Sequence, residues 1–171
     1  PSSKPLEKTM TRKIPELRFA GFSGEWEEKK LGEIGDNIGG GTPSTKVEKY
    51  WRGDIPWYQS SDFTEGNLFN NTANKFINEE SIKNSAAKKV ENIPAIAIVT
   101  RVGVGKVSLM NEVYSTSQDF LNFHNLKWEP KFSAMCIYKL MQKQKHILQG
   151  TSIKGITKSE LLNIKTIIPT Y

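Results

Sequence analysis

A chain of 171 residues is one domain's length and can bury roughly two thirds of its unfolded surface without disulfides. Its one cysteine, Cys136, lies among apolar residues and reads as a small hydrophobe, and with His124 and His146 isolated the chain offers no zinc site. No apolar run reaches membrane-spanning length, the longest lying around 93–99, and the polar N-terminus lacks a signal-peptide core, so a cytoplasmic protein with no membrane contact is expected.

Residues 1–14 read as a flexible leader or an expression remnant ahead of a folded domain over 15–171. Residues 17–22, with Phe19 and Phe22, read as an arm folded back on that domain. Residues 26–34 suggest a first strand that buries Trp26, Leu31 and Ile34. Residues 39–58 then concentrate four unusual classes of side chain. Three glycines, Gly39 to Gly41, relax the usual φ restriction. Thr42, Ser44 and Thr45 bring hydroxyls, Lys46, Lys49 and Arg52 bring charge, and Tyr50, Trp51, Trp57 and Tyr58 bring flat apolar surface. Such a loop suits contact with something flat and anionic; a long ordered loop whose aromatics anchor it to the core is the other reading. Pro56 places the short strand at 55–58 on a sheet edge or at a bend.

Further on, Asn78 is a good N-cap followed by Glu79 and Glu80, and Ile82, Ala86 and Val90 fall on one face of the helix it would open. Residues 94–100 read as a strand covered on both faces, and 107–110 as its hairpin partner across a glycine-containing loop. Residues 113–117 and 120–126 add strands. Ala134, Ile137, Tyr138, Met141 and Leu148, flanked by Leu140 and Ile147, make the apolar stripe of a helix over 133–149, stopped by Gly150. Thr157 and Glu160 form a capping-box pattern, and 163–168 alternate as a last strand. Strands and helices mixed without a regular βαβ beat predict an α+β domain with a mixed or antiparallel sheet and a few short helices.

Enzyme motifs fail when tested. Residues 39–46 miss the glycine before the lysine of a phosphate loop, and Val47 stands where a hydroxyl residue is needed. Gly103 and Gly105 suggest a dinucleotide turn, but Ser108 holds the third glycine position and a strand follows. The acidic-or-Asn, Pro-Pro, aromatic signature of amino methyltransferases is absent. Binding is better supported. Between 131 and 171 lie seven lysines and one acid, which suggests a polyanionic partner on one side, although a solvated lysine face gives the same count. Arg101, Gly103 and Lys106 form a loop that can approach a phosphate, and Thr151, Ser152 and Lys154 have a similar form after a helix. Gln59, Ser60, Ser61, Gln118 and Asp119 are polar residues at strand ends, suited to reading base edges.

Residues 25–34, the Gly40-Gly41-Thr42-Pro43-Ser44-Thr45 loop, residues 50–57 and the 150–156 segment occur in an order that resembles the target recognition domain of type I restriction-modification specificity subunits. The resemblance implies a non-catalytic DNA-reading domain. Two such domains, separated by long helices, each read one half of a split sequence. Modification subunits dock on the helices and methylate adenine with S-adenosylmethionine, and restriction subunits cleave unmodified DNA. On this reading the chain itself carries no cofactor, since S-adenosylmethionine, Mg and ATP belong to partner subunits. It would be one domain cut from a larger subunit, without the long spacer helix. The DNA-binding set is then Gly40, Gly41, Thr42, Ser44, Thr45, Lys46, Gln59, Ser60, Ser61, Arg101, Gly103, Lys106, Gln118, Thr151, Ser152 and Lys154, with Gly41, Arg101 and Lys154 expected on one exposed side. A carbohydrate- or protein-binding module built on Tyr50, Trp51, Trp57 and Tyr58 is the alternative.

Overall fold

The computed structural model describes residues 25–149 and 155–169. Among these residues, ten strands form three sheets. β1 (Trp26–Lys30) and β10 (Lys165–Pro169) make an antiparallel ribbon. β2 (Asp36–Gly39), β6 (Ala95–Val99), β7 (Val107–Met110) and β9 (Phe120–His124) make an antiparallel sheet in the order β2-β9-β6-β7. β3 (Ile55–Tyr58), β4 (Lys75–Ile77), β5 (Lys89–Val90) and β8 (Tyr114–Thr116) make a mixed sheet in the order β4-β3-β8-β5, with β3 and β8 parallel. The helices are α1 (Glu79–Asn84), α2 (Pro130–Gln149) and α3 (Lys158–Asn163). The α+β expectation holds.

β6 is the centre of the core, and its composition explains why. Every residue from Ala95 to Val99 is buried. Side chains alternate across a strand, so Ile96 and Ile98 face the α2 side, where Ala134, Ile137, Leu140 and Met141 meet them. Ala95, Ala97 and Val99 face the mixed sheet and pack with Tyr58, Phe63, Tyr114 and Phe120. The middle sheet is thus covered by a helix on one face and a second sheet on the other. Fully burying each isoleucine contributes about 2–3 kcal/mol.

Several local expectations change. The first strand stops at Lys30, where a 3-10 turn over Leu31–Glu33 begins; Leu31 and Ile34 are buried as expected. Asn78 does cap α1, its side chain accepting from the Ser81 N–H, but the helix ends at Asn84 and Val90 belongs to β5. Strand β3 is interior rather than an edge. Pro56 is tolerated because pairing with β8 begins only at Trp57, leaving β4 as its one neighbour. The leader at 1–14, the arm at 17–22 and the Gly150 stop lie outside the described residues.

Candidate nucleic-acid interface

Strand register brings distant loops to one end of the two larger sheets. Gly39 at the end of β2 faces Leu121 near the start of β9. Val99 at the end of β6 faces Phe120, and Ile98 faces Val107 at the start of β7. The parallel pair β3 and β8 finish together at Tyr58 and Thr116. The loops that leave these ends, beginning at residues 40, 59, 100 and 117, therefore share one rim.

Hydrogen bonds tie the rim together. The Gly40 N–H donates to the Phe120 carbonyl at 3.2 Å, and the Gly41 N–H to the Thr116 carbonyl at 2.8 Å. The Ser117 N–H donates to Tyr58 O at 2.8 Å, and the Thr100 N–H to Asp119 O at 2.8 Å. The Lys106 ammonium donates to the Ser60 carbonyl at 2.8 Å. Thr42 Oγ1 donates to Gln118 Oε1. Arg101 is exposed, with its Nε 3.7 Å from Asp119 Oδ1. Gly40, Thr42, Gln59, Ser60, Arg101, Gly103, Lys106 and Gln118 thus converge, with Ser61 in the 3-10 turn Ser60–Asp62. Ser44, Thr45 and Lys46 continue outward from the same loop and are all exposed.

Two members serve differently from what the sequence suggested. Gly41 is buried, so it packs rather than touches a ligand, and the expectation that it is exposed fails. A Cβ there would lie 1.8 Å from the Ala86 carbonyl oxygen, and one on Gly40 would lie 2.0 Å from that of Ser117. Close approach, not φ, demands these glycines. Among the described residues the positive-φ glycines are Gly66, Gly103 and Gly105, so in the 100–106 loop conformational freedom is the reason. Thr151, Ser152 and Lys154 lie outside the described residues. Their neighbour Gly155 packs beside Arg101, and the Ile156 N–H donates to Thr100 O at 2.8 Å.

The aromatics do not form an open platform. Trp57 and Tyr58 are buried, and the Trp57 indole donates to Gly41 O at 3.0 Å. Trp51 meets Trp57 edge to face at 5.0 Å, and its indole donates to Ser44 O at 3.2 Å. They brace the loop from behind. Two residues that sequence reasoning passed over complete this support. Lys75 sets its ammonium 5.5 Å from the Trp51 ring centroid, because register places it opposite Trp57. Asp62 accepts from the Gln59 N–H at 2.9 Å and from Asn74 Nδ2 at 2.6 Å. Only strand pairing reveals Lys75; the Gln59-to-Asp62 spacing was a readable signal for the capping carboxylate.

Charge by sequence segment also differs from charge by face. Lys145 pairs with Glu65 at 2.6 Å and Lys165 with Glu28 at 2.7 Å, so part of the C-terminal excess is neutralised by acids from elsewhere. Among the described residues, no group of three or more His, Cys, Asp or Glu side chains could hold a metal ion. No helix among them is long and apolar enough to cross a membrane.

Comparison with known proteins gives a consistent result. Residues 23–171 match the family model of the type I restriction modification DNA specificity domain. The chain is 31% identical over 99 residues to the type I restriction enzyme MjaIX specificity subunit of Methanocaldococcus jannaschii, an alignment covering 57% of this chain and 23% of that protein. It is 42% identical over 84 residues to the EcoR124I/EcoR124II specificity subunit of Escherichia coli, covering 47% of this chain and 20% of that one. Among solved structures, the HsdS subunit from Thermoanaerobacter tengcongensis superposes with a TM-score of 0.60 at 20% identity, covering 91% of this chain and 35% of that one. The type I restriction-modification S subunit from M. genitalium gives 0.57 at 16%, covering 92% and 37%. The matched region thus spans less than a quarter of the curated relatives and about a third of the solved chains.

Proposed function

This chain belongs to the type I restriction modification DNA specificity domain family, and we propose that its polar rim is the surface that reads double-stranded DNA. Sequence-specific DNA recognition is the family's role, and the specificity subunit does no chemistry of its own. The observation that carries the assignment to the rim is the hydrogen-bonded meeting of the loops starting at 40, 59, 100 and 117 at one end of the sheets. Such a surface has both classes of contact that DNA needs. Lys46, Arg101 and Lys106 suit phosphates, while Gln59, Ser61 and Gln118 suit base edges.

The finer reading follows from the family. The domain reads one half of a bipartite site, within a larger subunit that directs modification subunits to methylate adenine and restriction subunits to cleave unmodified DNA. S-adenosylmethionine, Mg and ATP act on those partners. The setting is the cytoplasm. A sugar-stacking module is disfavoured because Trp57 and Tyr58 are buried.

The test is a domain exchange. Residues 23–171 are replaced, in the intact subunit, by the equivalent segment of a relative with another target, and methylated adenines are mapped in cells. One half of the recognised sequence should change while the other stays. An unchanged methylation map would overturn the proposal.

A further inference from the structure

Gln118 occupies an unusual position on the rim. It is exposed at the middle of the three-residue connection 117–119 between β8 and β9, and the backbone on both sides is pinned. The Ser117 N–H donates to Tyr58 O, and the Asp119 carbonyl accepts from the N–H groups of Thr100 and Arg101 and from Thr100 Oγ1. The hydroxyl that meets its amide comes from Thr42, which follows directly on the two packed glycines whose N–H groups are held by Phe120 and Thr116. An exposed, rotamer-rich side chain is therefore mounted on a fixed turn and gripped by a fixed hydroxyl.

The direction of that grip decides what the amide can recognise. Thr42 Oγ1 donates to Gln118 Oε1. This orients the amide and consumes one lone pair of its oxygen. One acceptor lone pair on Oε1 and two N–H donors on Nε2 remain. An adjacent acceptor and donor match the major-groove edge of adenine, which offers the N6 amino donor beside the N7 acceptor. Guanine presents two acceptors, O6 and N7, so the amide oxygen would face an oxygen. Cytosine and thymine present a single polar group there and leave one side of the amide unpaired.

We propose that Gln118 is an adenine-reading residue of this domain and that Thr42 is its positioning residue. The proposal rests on the rim being the DNA-facing surface. It adds that one position of the half-site is an A·T pair read through N6 and N7. Arg101, exposed on the adjoining 100–106 loop with its Nε 3.7 Å from Asp119 Oδ1, is the cation this reading offers to a phosphate.

The experiment uses the intact subunit with its modification partners and duplexes carrying the half-site found from the methylation map of cells that express it. Each adenine of the half-site is replaced in turn by 7-deaza-adenine, which keeps the amino group and lacks N7. With the natural protein, one position should lose about ten- to a hundredfold in affinity. With Gln118→Ala the natural and 7-deaza duplexes should bind alike at that position. Gln118→Glu keeps the shape but offers only acceptors, and should shift the preference there from adenine toward cytosine, whose N4 amino group it can accept. Thr42→Val should lower the ratio between natural and 7-deaza duplex at that one position, with other positions and the melting temperature unmoved, and Thr42→Ser should restore it. Equal 7-deaza penalties for natural protein and Gln118→Ala at every position overturn the proposal, as does a half-site whose only A·T pair is the one that is methylated. Those results leave the rim reading intact; an unchanged methylation map in the domain exchange removes the rim reading itself.

Discussion

Three neighbouring glycines show how one residue type serves different ends. A Cβ on Gly41 meets the Ala86 carbonyl at 1.8 Å, whereas one on Gly39 has nothing within 4 Å. Gly41→Ala should therefore destabilise the fold by about 3 kcal/mol, the upper range for overpacking. Gly39→Ala should stabilise it by about 0.5 kcal/mol through the unfolded chain. Urea titration of the two variants checks the ordering; equal midpoints would show that packing does not fix this loop. The glycine run was plain in the sequence but its reason was not, because Ala86 and Thr116 come from remote segments. Cys136 behaves as its neighbours foretold. Burial pushes its thiol up to about 11, with Lys139 opposing weakly. The thiolate is the nucleophile, so alkylation by iodoacetamide should be slow at pH 8 and accelerate through about pH 11, whereas a free thiol levels off lower. Rapid labelling at pH 8 in the folded protein would contradict this environment.

Elements with their own signals were legible. The apolar run of β6, the stripe of α2 and the Thr157-Glu160 box at α3 all declared themselves, and the box forms with the Thr157 N–H 2.8 Å from Glu160 Oε2. The two hydrogen bonds from Thr157 hold the Glu160 carboxyl below its usual range. A depressed carboxyl stabilises above its unfolded pKa, and that contribution is lost as pH falls through the folded value. The stability difference between the natural protein and Glu160→Gln should accordingly shrink on acidification; a difference constant with pH would exclude the carboxylate as the cap. By contrast β2, β4 and β5 were invisible. Asp36–Gly39, Lys75–Ile77 and Lys89–Val90 are short, polar or broken by glycine, and become strands only because longer neighbours supply partners. The joint between the two four-stranded sheets was equally hidden. Buried Asn122 on β9 accepts from the Tyr114 hydroxyl at 3.0 Å and donates to Thr116 Oγ1 at 2.9 Å. Tyr114→Phe leaves the Asn122 oxygen short of a donor and should cost about 1–2 kcal/mol. An unaltered urea midpoint would mean this network does not join the sheets.

At the scale of the whole molecule, the sequence singled out loops that the fold gathers at one rim, but it counted charge along the chain, whereas a duplex would meet one face. Lys145 and Lys165 belong to the lysine-rich C-terminal segment, yet each faces a carboxylate, Glu65 or Glu28. Lys46 is exposed on the rim loop, and Arg101 is exposed beside the half-buried Asp119. Each phosphate neutralised releases condensed counterion, so the logarithm of the binding constant falls with the logarithm of salt by about 0.9 per contact. A domain touching about six phosphates should show a slope near −5 on that scale. Removing a rim cation by Lys46→Gln or Arg101→Gln should lower the magnitude of the slope by about 1. Lys145→Gln and Lys165→Gln should leave it unchanged, although the four variants alter net charge equally. Equal slope changes for all four would mean that the duplex senses only total charge. A change confined to Lys145 and Lys165 would move the DNA to the opposite set of cations and leave the rim without its assigned partner.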